Sequence, residues 1–236
     1  MNILGTRIDN VGLDDCLIFI FEALAKGHEI RIVTANPELI YRAQKDNELL
    51  EILDSADMVL PDGIGVVWAA RQLGGVLKER VTGIDLTYEI LKEGDRCRWR
   101  IFMLGAKPGI AEKAAIEQSQ KYPGIIFDSH HGYFTQEEEP FVLEKIRRFN
   151  PDILLTGLGA PRQEVWNYRN KGIAKVRIGV GGTIDVLSGQ VRRAPRFFQE
   201  NNLEWFYRLL KEPSRISRQS ILPLYVLKVL QTKYFN

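Results

Sequence analysis

The sequence predicts an α/β fold with a doubly wound, mostly parallel sheet and helices on both of its faces. Short β-branched segments alternate with longer segments of helical periodicity, which is the pattern of a sheet built from βαβ units. Several β segments are almost continuously apolar, as in Ile101–Leu104 and Ile153–Leu155, and strands covered on both faces have this character. These observations indicate a Rossmann-like body, which we expect to be followed by a helical C-terminal appendage.

The individual elements divide the chain into two parts. Six strands are predicted, at Glu29–Thr34, Asp57–Leu60, Arg100–Leu104, Ile125–Phe127, Asp152–Thr156 and Val176–Val180. Helices are predicted near residues 12–26, 36–54, 64–73, 84–93, 109–121, 136–149 and 161–171. After Gly189, two further helical segments near 195–211 and 214–232 are no longer interleaved with strands. We therefore predict an α/β catalytic domain at residues 1–191 and a basic helical appendage at residues 192–236.

The composition excludes a mostly disordered, collagen-like or disulfide-framework protein. The chain has 236 residues, of which 45% are hydrophobic and 26% charged, close to the averages for soluble globular proteins. Its two cysteines form no CxxC pair, which indicates a reduced, cytosolic compartment. No secretory signal pattern is found. The apolar stretch Ile221–Leu230 is too short for a bilayer span, which needs about 20 residues.

Positive charge is concentrated at the C-terminal end. The net charge of the whole chain is +2, whereas residues 192–236 contain nine Lys or Arg and three Glu, and no acid follows Glu212. Apolar side chains accompany these bases, namely Ile221, Leu222, Leu224, Tyr225, Leu227, Leu230, Tyr234 and Phe235. Because each basic residue near an anionic leaflet contributes about 1 kcal/mol at best, the appendage is predicted to bind an anionic membrane surface reversibly.

Alternatives for the appendage stay open. Instead of binding a membrane, it could be a helix that packs on the body, or a contact between copies in a homo-oligomer. Nucleic acid fits the charge less well, because aromatic stacking platforms interleaved with the basic residues are lacking, and we expect no nucleic-acid partner. Pro223 is expected either to kink the helix or to mark its restart.

Ligands of open α/β sheets bind at the carboxyl ends of the strands, and Asp62 is the most informative residue at such an end. It lies between Pro61 and Gly63, and glycine lets a substrate approach the backbone closely. A carboxylate here can take a proton from a hydroxyl nucleophile, which is worth about 10²–10⁴ in rate. The alternative is that Asp62 caps the next helix. Thr34 and Asn36 likewise either orient a sugar or phosphate or cap a helix.

The strand ends carry no dinucleotide or metal signature. None matches G-x-G-x-x-G or the Walker pattern, which disfavours a nicotinamide-dependent dehydrogenase. The sequence contains no Asp-x-Asp pair, and His130-His131 lacks a third ligand nearby. We therefore predict no metal and no cofactor. Phosphate can instead be bound by backbone N–H groups at glycine-rich helix starts, with Gly181, Gly182 and Asp185 as candidates for the nucleotide end.

Six blocks carry a family resemblance over nearly the whole chain. They are Thr34–Glu38, Leu60–Gly65, Arg80–Asp85, Gly157–Trp166, Gly179–Gly182, and Arg193–Pro195 with Leu203–Leu209. In this order they resemble the WecG/TagA/CpsF glycosyltransferases. The resemblance implies metal-independent, inverting transfer of N-acetylmannosamine from UDP-N-acetylmannosamine to N-acetylglucosamine on undecaprenyl diphosphate. The product would be β-1,4-linked and would belong to wall teichoic acid synthesis.

The resemblance also implies roles for particular residues. Asp62 matches the proposed base and Thr34 its neighbour in the pocket, while Asn36, Arg80 and Gln163 match polar positions of the same pocket. The arginine-bearing appendage, thought to meet the membrane and the diphosphate, is matched by Arg208, Arg215 and Arg218. We expect a cytoplasmic protein, peripheral on the inner face of the cell membrane.

Two alternative functions stay open. One is transfer of N-acetylmannosaminuronic acid, which differs from N-acetylmannosamine by one carboxylate, in a related surface polysaccharide. The other is a nucleotide-binding scaffold protein without enzymatic activity. The sequence leaves the donor sugar and the oligomeric state undetermined.

Overall fold

The structure, a computed structural model, describes residues 1–201, 203–211 and 220–235. All six predicted strands are present, and each overlaps its predicted segment. The strands are β1 (Asn2–Ile3), β2 (Thr6–Arg7), β3 (Ile30–Ala35), β4 (Met58–Pro61), β5 (Arg100–Gly105), β6 (Ile126–His130), β7 (Ile153–Gly157) and β8 (Val176–Gly179).

Strands β3 to β8 form one parallel sheet. Their order across the sheet is β4-β3-β8-β7-β5-β6, and every neighbouring pair is parallel. The register pairs Thr34 with Leu60 and Ile32 with Ile178. The predicted α/β fold with a parallel sheet is therefore confirmed.

Helices cover both faces of this sheet, as predicted. They are α1 (Leu13–Lys26), α2 (Pro37–Ala43), α3 (Asn47–Asp54), α4 (Ile64–Gln72), α5 (Gly83–Cys97), α6 (Ile110–Lys121), α7 (Glu139–Phe149), α8 (Arg162–Arg169), α9 (Thr183–Leu187), α10 (Arg196–Glu200), α11 (Glu204–Lys211) and α12 (Ile221–Phe235). Ile32 and Val33 illustrate the arrangement, because consecutive strand residues point to opposite faces. Ile32 packs with α1, α5, α6 and α9, and Val33 packs with α2, α3, α4 and α12.

The predicted helix at 36–54 is wrong in one respect, because the structure divides it into α2 and α3. Asp46 lies between them, and its Oδ1 accepts a hydrogen bond of 3.0 Å from the backbone N–H of Leu49. An aspartate that caps a new helix ends the preceding one. The segment predicted as one helix at 195–211 is likewise two helices, α10 and α11.

Two short features were not predicted from the sequence. The antiparallel pair β1-β2 turns at Leu4 and Gly5, both with positive φ (51° and 91°). Leucine rarely adopts this conformation. Because Leu4 stands where hairpin turns usually have Asn or Asp before Gly, the turn could not be predicted from the sequence. Helix α9 has only five residues, too few to show a periodic pattern.

The last described helix packs on the α/β body. Pro223 lies in the first turn of α12, where proline is tolerated, and it therefore marks a helix start rather than a kink. Tyr225 and Val229 are 1% and 0% exposed and join the apolar cluster of α2 and α4. The packing alternative thus holds for this face of the appendage, while Leu224 and Leu227 on α12 stay exposed.

Replacing Tyr225 with alanine tests this packing. We expect Y225A to lower the free energy of unfolding by about 3–5 kcal/mol, because a large buried aromatic side chain is lost and a cavity is left. The matched control is L227A, on the same helix but 63% exposed, which should change stability by less than about 0.5 kcal/mol. Denaturant unfolding of both variants measures the difference. Equal values for the two would show that α12 is not docked on the body.

Candidate functional site

The carboxyl ends of β3 and β8, two adjacent parallel strands, lie side by side at one edge of the sheet. The chain leaves β3 into α2 on one face, and it leaves β8 into α9 on the opposite face. Neighbouring strands whose connections diverge in this way form the switch point at which open α/β sheets bind ligands. Most of the residues singled out in the sequence belong to segments at this edge.

Asp62 lies directly after β4 and beside the end of β3. Its backbone N–H donates to the carbonyl oxygens of Ala35 at 2.9 Å and Leu60 at 3.0 Å, and the residue is half-buried. The N-cap of α4 is Gly63, with φ of 99° and no side-chain cap. Asp62 therefore precedes the N-cap position of α4 and does not occupy it. The local structure instead places this carboxylate-bearing residue at the carboxyl edge of the sheet.

Asn36 is the N-cap of α2. Its Oδ1 accepts a hydrogen bond of 2.9 Å from the backbone N–H of Leu39, so the capping alternative holds for this residue. Capping occupies the oxygen end of the amide. The amide nitrogen, which can only donate, is the end of the side chain that capping does not use and that could contact a substrate.

Thr34 joins β3 and β8, the two strands at this switch point. It is 5% exposed, and its hydroxyl donates a hydrogen bond of 2.8 Å to the carbonyl oxygen of Gly179. It caps no helix, since the N-cap of α2 is Asn36. The hydroxyl proton of Thr34 is engaged by the backbone, so in this structure the side chain holds the end of β8 against β3.

Gln163 reaches the same turn from the opposite side. It lies in the first turn of α8 and is 3% exposed. Its Oε1 accepts a hydrogen bond of 3.2 Å from the backbone N–H of Gly181, and its Nε2 donates to Glu164 Oε1 at 2.8 Å. The turn that follows β8 is therefore held by Thr34 on one side and by Gln163 on the other.

The glycines of this turn have conformational reasons to be glycine. Gly181 has φ of 53°, a conformation that costs little only without a Cβ. Gly182 is the N-cap of α9, and Asp185 is half-buried within that helix. Gly181 and Gly182 thus lie in the turn between β8 and α9, with Asp185 farther along α9.

Arg80 belongs to the segment that borders Asp62. The backbone N–H of the next residue, Val81, donates to the carbonyl oxygen of Pro61 at 3.1 Å, so Arg80 lies near the loop that carries Asp62. Arg80 itself is half-buried. Helix α5 starts close by, because a Cβ built on Gly83 would lie 3.5 Å from Thr34 Cγ2.

The arginines predicted in the appendage are described only in part. Arg208 lies in α11, and only its backbone is described. Arg215 and Arg218 lie outside the described residues. Their predicted role at the membrane and the diphosphate stays a prediction.

Three charged residues without a predicted role tie the appendage to the body. Arg193 Nη2 forms an ion pair of 2.5 Å with Asp85 Oδ1 in the first turn of α5, and Arg193 Nε is 3.7 Å from Glu204 Oε1 in α11. Asp85 Oδ2 accepts a hydrogen bond of 2.5 Å from the hydroxyl of Thr82. The appendage therefore begins at the helix start that borders Thr34. Arg193, Asp85 and Glu204 all belong to the sequence blocks quoted above. Their ion pairs could not be predicted because Asp85 lies far from the other two in the chain.

Glu164 is a further residue that the sequence analysis left without a role. It is 1% exposed and shares the buried side of α8 with Gln163, Trp166 and Asn167. The signal in the sequence is weak: polar residues recur next to a tryptophan at helical spacing. Burial raises the pKa of the Glu164 carboxyl to about 7, although hydrogen bonds from Gln163 and the backbone and the charge of Arg31 oppose this shift.

Other possible sites are less well supported. Within the described residues, no three His, Cys, Asp or Glu side chains come together as a metal-binding group. A groove of about 570 Å³ lies between α2 and α12, and none of the predicted site residues lines it. Its lining is formed by Tyr41, Gln44, Lys45, Leu224, Leu227, Lys228 and Gln231.

Comparison with known proteins gives the family. The model of the glycosyl transferase WecG/TagA/CpsF family matches residues 1–236. The chain belongs to this family. It is therefore a glycosyltransferase, and the resemblance of the six blocks is confirmed.

Individual relatives cover almost the same span. An N-acetylglucosaminyldiphosphoundecaprenol N-acetyl-beta-D-mannosaminyltransferase of Staphylococcus aureus strain MRSA252 is 37% identical over 99% of this chain and 93% of its own length. Proteins of the same name from strains MW2 and NCTC 8325 / PS 47 are 36% identical over the same shares. As a glycosyltransferase, a family member must position a sugar hydroxyl and a donor. Polar residues, among them Thr34, Asp62 and Gln163, lie at or next to the carboxyl ends of β3, β4 and β8 in this structure.

Substitutions of Asn36 separate its capping role from substrate binding. We expect N36S to keep stability within about 0.5 kcal/mol, because serine caps as well as asparagine, and N36A to cost about 1 kcal/mol. If the amide nitrogen contacts substrate, both variants lose transferase activity to the same extent. Denaturant unfolding and initial rates of transfer measure the two effects. Full activity in N36S would restrict Asn36 to capping.

Proposed function

We propose that this glycosyltransferase moves N-acetylmannosamine from UDP-N-acetylmannosamine to N-acetylglucosamine linked to undecaprenyl diphosphate. The names of the relatives state the acceptor and the transferred sugar for those proteins. The observation that carries the proposal for this chain is the position of Asp62. It is a half-buried acid at the carboxyl edge of the sheet, directly after β4 and beside the end of β3.

In the proposed reaction, Asp62 acts as the general base. Its carboxylate takes the proton of the 4-hydroxyl group of N-acetylglucosamine as that oxygen attacks C1 of the donor sugar. The bond from C1 to the diphosphate breaks, and its electron pair leaves with UDP. A single displacement of this kind inverts C1 and gives the β-1,4 linkage. General-base assistance of this type contributes about 10²–10⁴ in rate.

The charge that develops on the leaving diphosphate needs stabilisation, which preorganised donors supply best. Arg80 beside the Asp62 loop and the backbone N–H groups near Gly181 and Gly182 are the groups we assign to it. Thr34 and Gln163 hold the turn that carries these glycines. In this proposal, Thr34 acts on the reaction through the turn, and no metal is required.

The substitution D62N tests the base. We expect turnover to fall at least about 100-fold, since the amide cannot take the proton, while the far-UV circular dichroism and the unfolding midpoint stay unchanged. The measurement is mass spectrometry of the product formed with a short-chain lipid-diphosphate acceptor. UDP-N-acetylmannosamine, its uronic acid counterpart and UDP-N-acetylglucosamine are supplied as separate donors.

The control for D62N is D14N, an exposed carboxylate in the first turn of α1, which should leave turnover unchanged. Near-normal turnover in D62N would remove Asp62 as the base. Product from the uronic acid donor alone would replace the proposed sugar, and the absence of product with every donor would contradict the transferase proposal for these substrates.

We also propose that the appendage holds the enzyme at the inner face of the membrane, where a lipid-linked acceptor is located. Large apolar side chains are exposed on α10 and α11, namely Phe197, Trp205, Phe206 and Leu210. None of the helices in the described residues is long and apolar enough to span a bilayer. Exposed apolar side chains together with basic residues support reversible binding in the interfacial region.

Vesicle binding tests this attachment. We expect the double variant F197S/L210Q to bind vesicles of anionic phospholipid about tenfold more weakly for each apolar side chain lost from the interface. These positions are 65% and 60% exposed, so the unfolding midpoint should not change. The matched control is F141S on α7, which is 69% exposed and lies outside the appendage. Co-sedimentation that is equal for both variants would contradict the attachment through α10 and α11.

A further inference from the structure

The carboxyl group of Glu164 is buried in a way that does not favour stability. The residue is 1% exposed. One carboxylate oxygen accepts the hydrogen bond of 2.8 Å from Gln163 Nε2, and the other, Oε2, has no hydrogen-bond partner among the described residues. An incompletely paired buried carboxylate costs free energy. What it provides in return is found in its side-chain partner, Gln163.

Glu164 determines the orientation of the Gln163 amide. In its ionised form, the Glu164 carboxylate only accepts hydrogen bonds, and this form pairs with the NH₂ end of that amide, which is the contact seen from Gln163 Nε2 to Glu164 Oε1. The carbonyl end then points to Gly181, whose backbone N–H lies 3.2 Å from Gln163 Oε1. With the amide reversed, the oxygen would face the carboxylate, and the NH₂ group would face the N–H of Gly181. Both of those contacts are repulsive.

The fit around this pair leaves little room for adjustment. A Cβ built on Gly179 would lie 2.7 Å from Gln163 Nε2 and 3.1 Å from Glu164 Oε1. The carbonyl oxygen of Gly179 is meanwhile bound by the hydroxyl of Thr34 at 2.8 Å. A displacement of the Gln163 amide is therefore passed directly to the backbone of the turn at residues 179–182.

We propose that Glu164 is a positioning residue for the nucleotide-sugar donor. It orients Gln163, and Gln163 sets the turn at residues 179–182 that receives the UDP diphosphate. The inference rests on the proposed function, since it assigns this turn to the donor. Glu164 itself touches no substrate.

Two substitutions at this position separate orientation from packing. E164L removes the acceptor, and we expect the Kd of UDP and the KM of the UDP-sugar to rise about tenfold, the size expected when one hydrogen bond is lost. The KM of the lipid-linked acceptor should not change. E164Q keeps an acceptor oxygen for Gln163 and should restore both donor constants to within about twofold.

The control is T156V. The side chain of Thr156 donates a buried hydrogen bond of 2.8 Å to Asn167 Oδ1 on the same helix. Its backbone carbonyl oxygen accepts the N–H of Val180 at 2.9 Å, a contact that valine keeps. We expect T156V to lower the unfolding midpoint as E164L does, while the Kd of UDP stays that of the wild type. Calorimetric titration with UDP alone gives the Kd of each variant.

The pH dependence of stability checks the burial of Glu164 without any ligand. Its carboxyl pKa is about 7 in the folded protein, against the ordinary value of 4.5. The folded state therefore keeps this proton up to a higher pH than the unfolded state does. As the pH rises from about 4.5 to about 7, the wild type loses stability relative to E164Q. Arg31 of β3 and Glu38 of α2 are the charged groups acting on it, and both are present in each protein.

The outcomes are distinguishable. Failure of the wild type to bind UDP would overturn the proposed donor, and the inference with it. If the wild type binds UDP and E164L binds equally well, or if T156V weakens binding as much as E164L does, only the inference is overturned. A stability difference between the wild type and E164Q that does not change with pH would also overturn it.

Discussion

The site depends on one constraint, the junction of β3 and β8 at the carboxyl edge of the sheet. Parallel strands bring their carboxyl ends to the same edge of the sheet. After β3 and β8, the connections to α2 and α9 then run to opposite faces of the sheet. The hydrogen bond from Thr34 to Gly179 fixes this junction from within. The backbone N–H of Asp62 bonds to Ala35 on the outer side of β3. The loop that carries Asp62 and the turn at residues 179–182 are therefore positioned by the same strand.

Much of the fold could be predicted, because buried parallel strands are almost continuously apolar. That signal located all six strands of the sheet, but it could not give their order. Features determined by single side chains were harder to predict. The division between α2 and α3 depends on the cap formed by Asp46, and the β1-β2 turn depends on a positive φ at a leucine. In both cases the local structure follows from a contact or a conformation that periodicity does not record.

The site shows the same division. Asp62, Asn36 and Gln163 could be singled out because each belongs to a contiguous motif at a strand end. The choice between capping and chemistry needed the structure. It shows that Asn36 is the N-cap of α2 and that Gly63, not Asp62, is the N-cap of α4. Glu164 and Arg193 were quoted within motifs but had no predicted role. Their meaning lies in the burial of one, and in the partners of the other at Asp85 and Glu204.

The docking of α12 has a consequence for folding. Tyr225 packs among residues of α2 and α4, and its hydroxyl lies 3.5 Å from the carbonyl oxygen of Gly65, 160 positions earlier in the chain. Contacts between residues so distant in sequence close late, because the loop entropy must be lost first. The part of α2 and α4 that Tyr225 and Val229 cover therefore stays in contact with water until the C-terminal helix docks. During synthesis, this is the surface that a chaperone would have to shield.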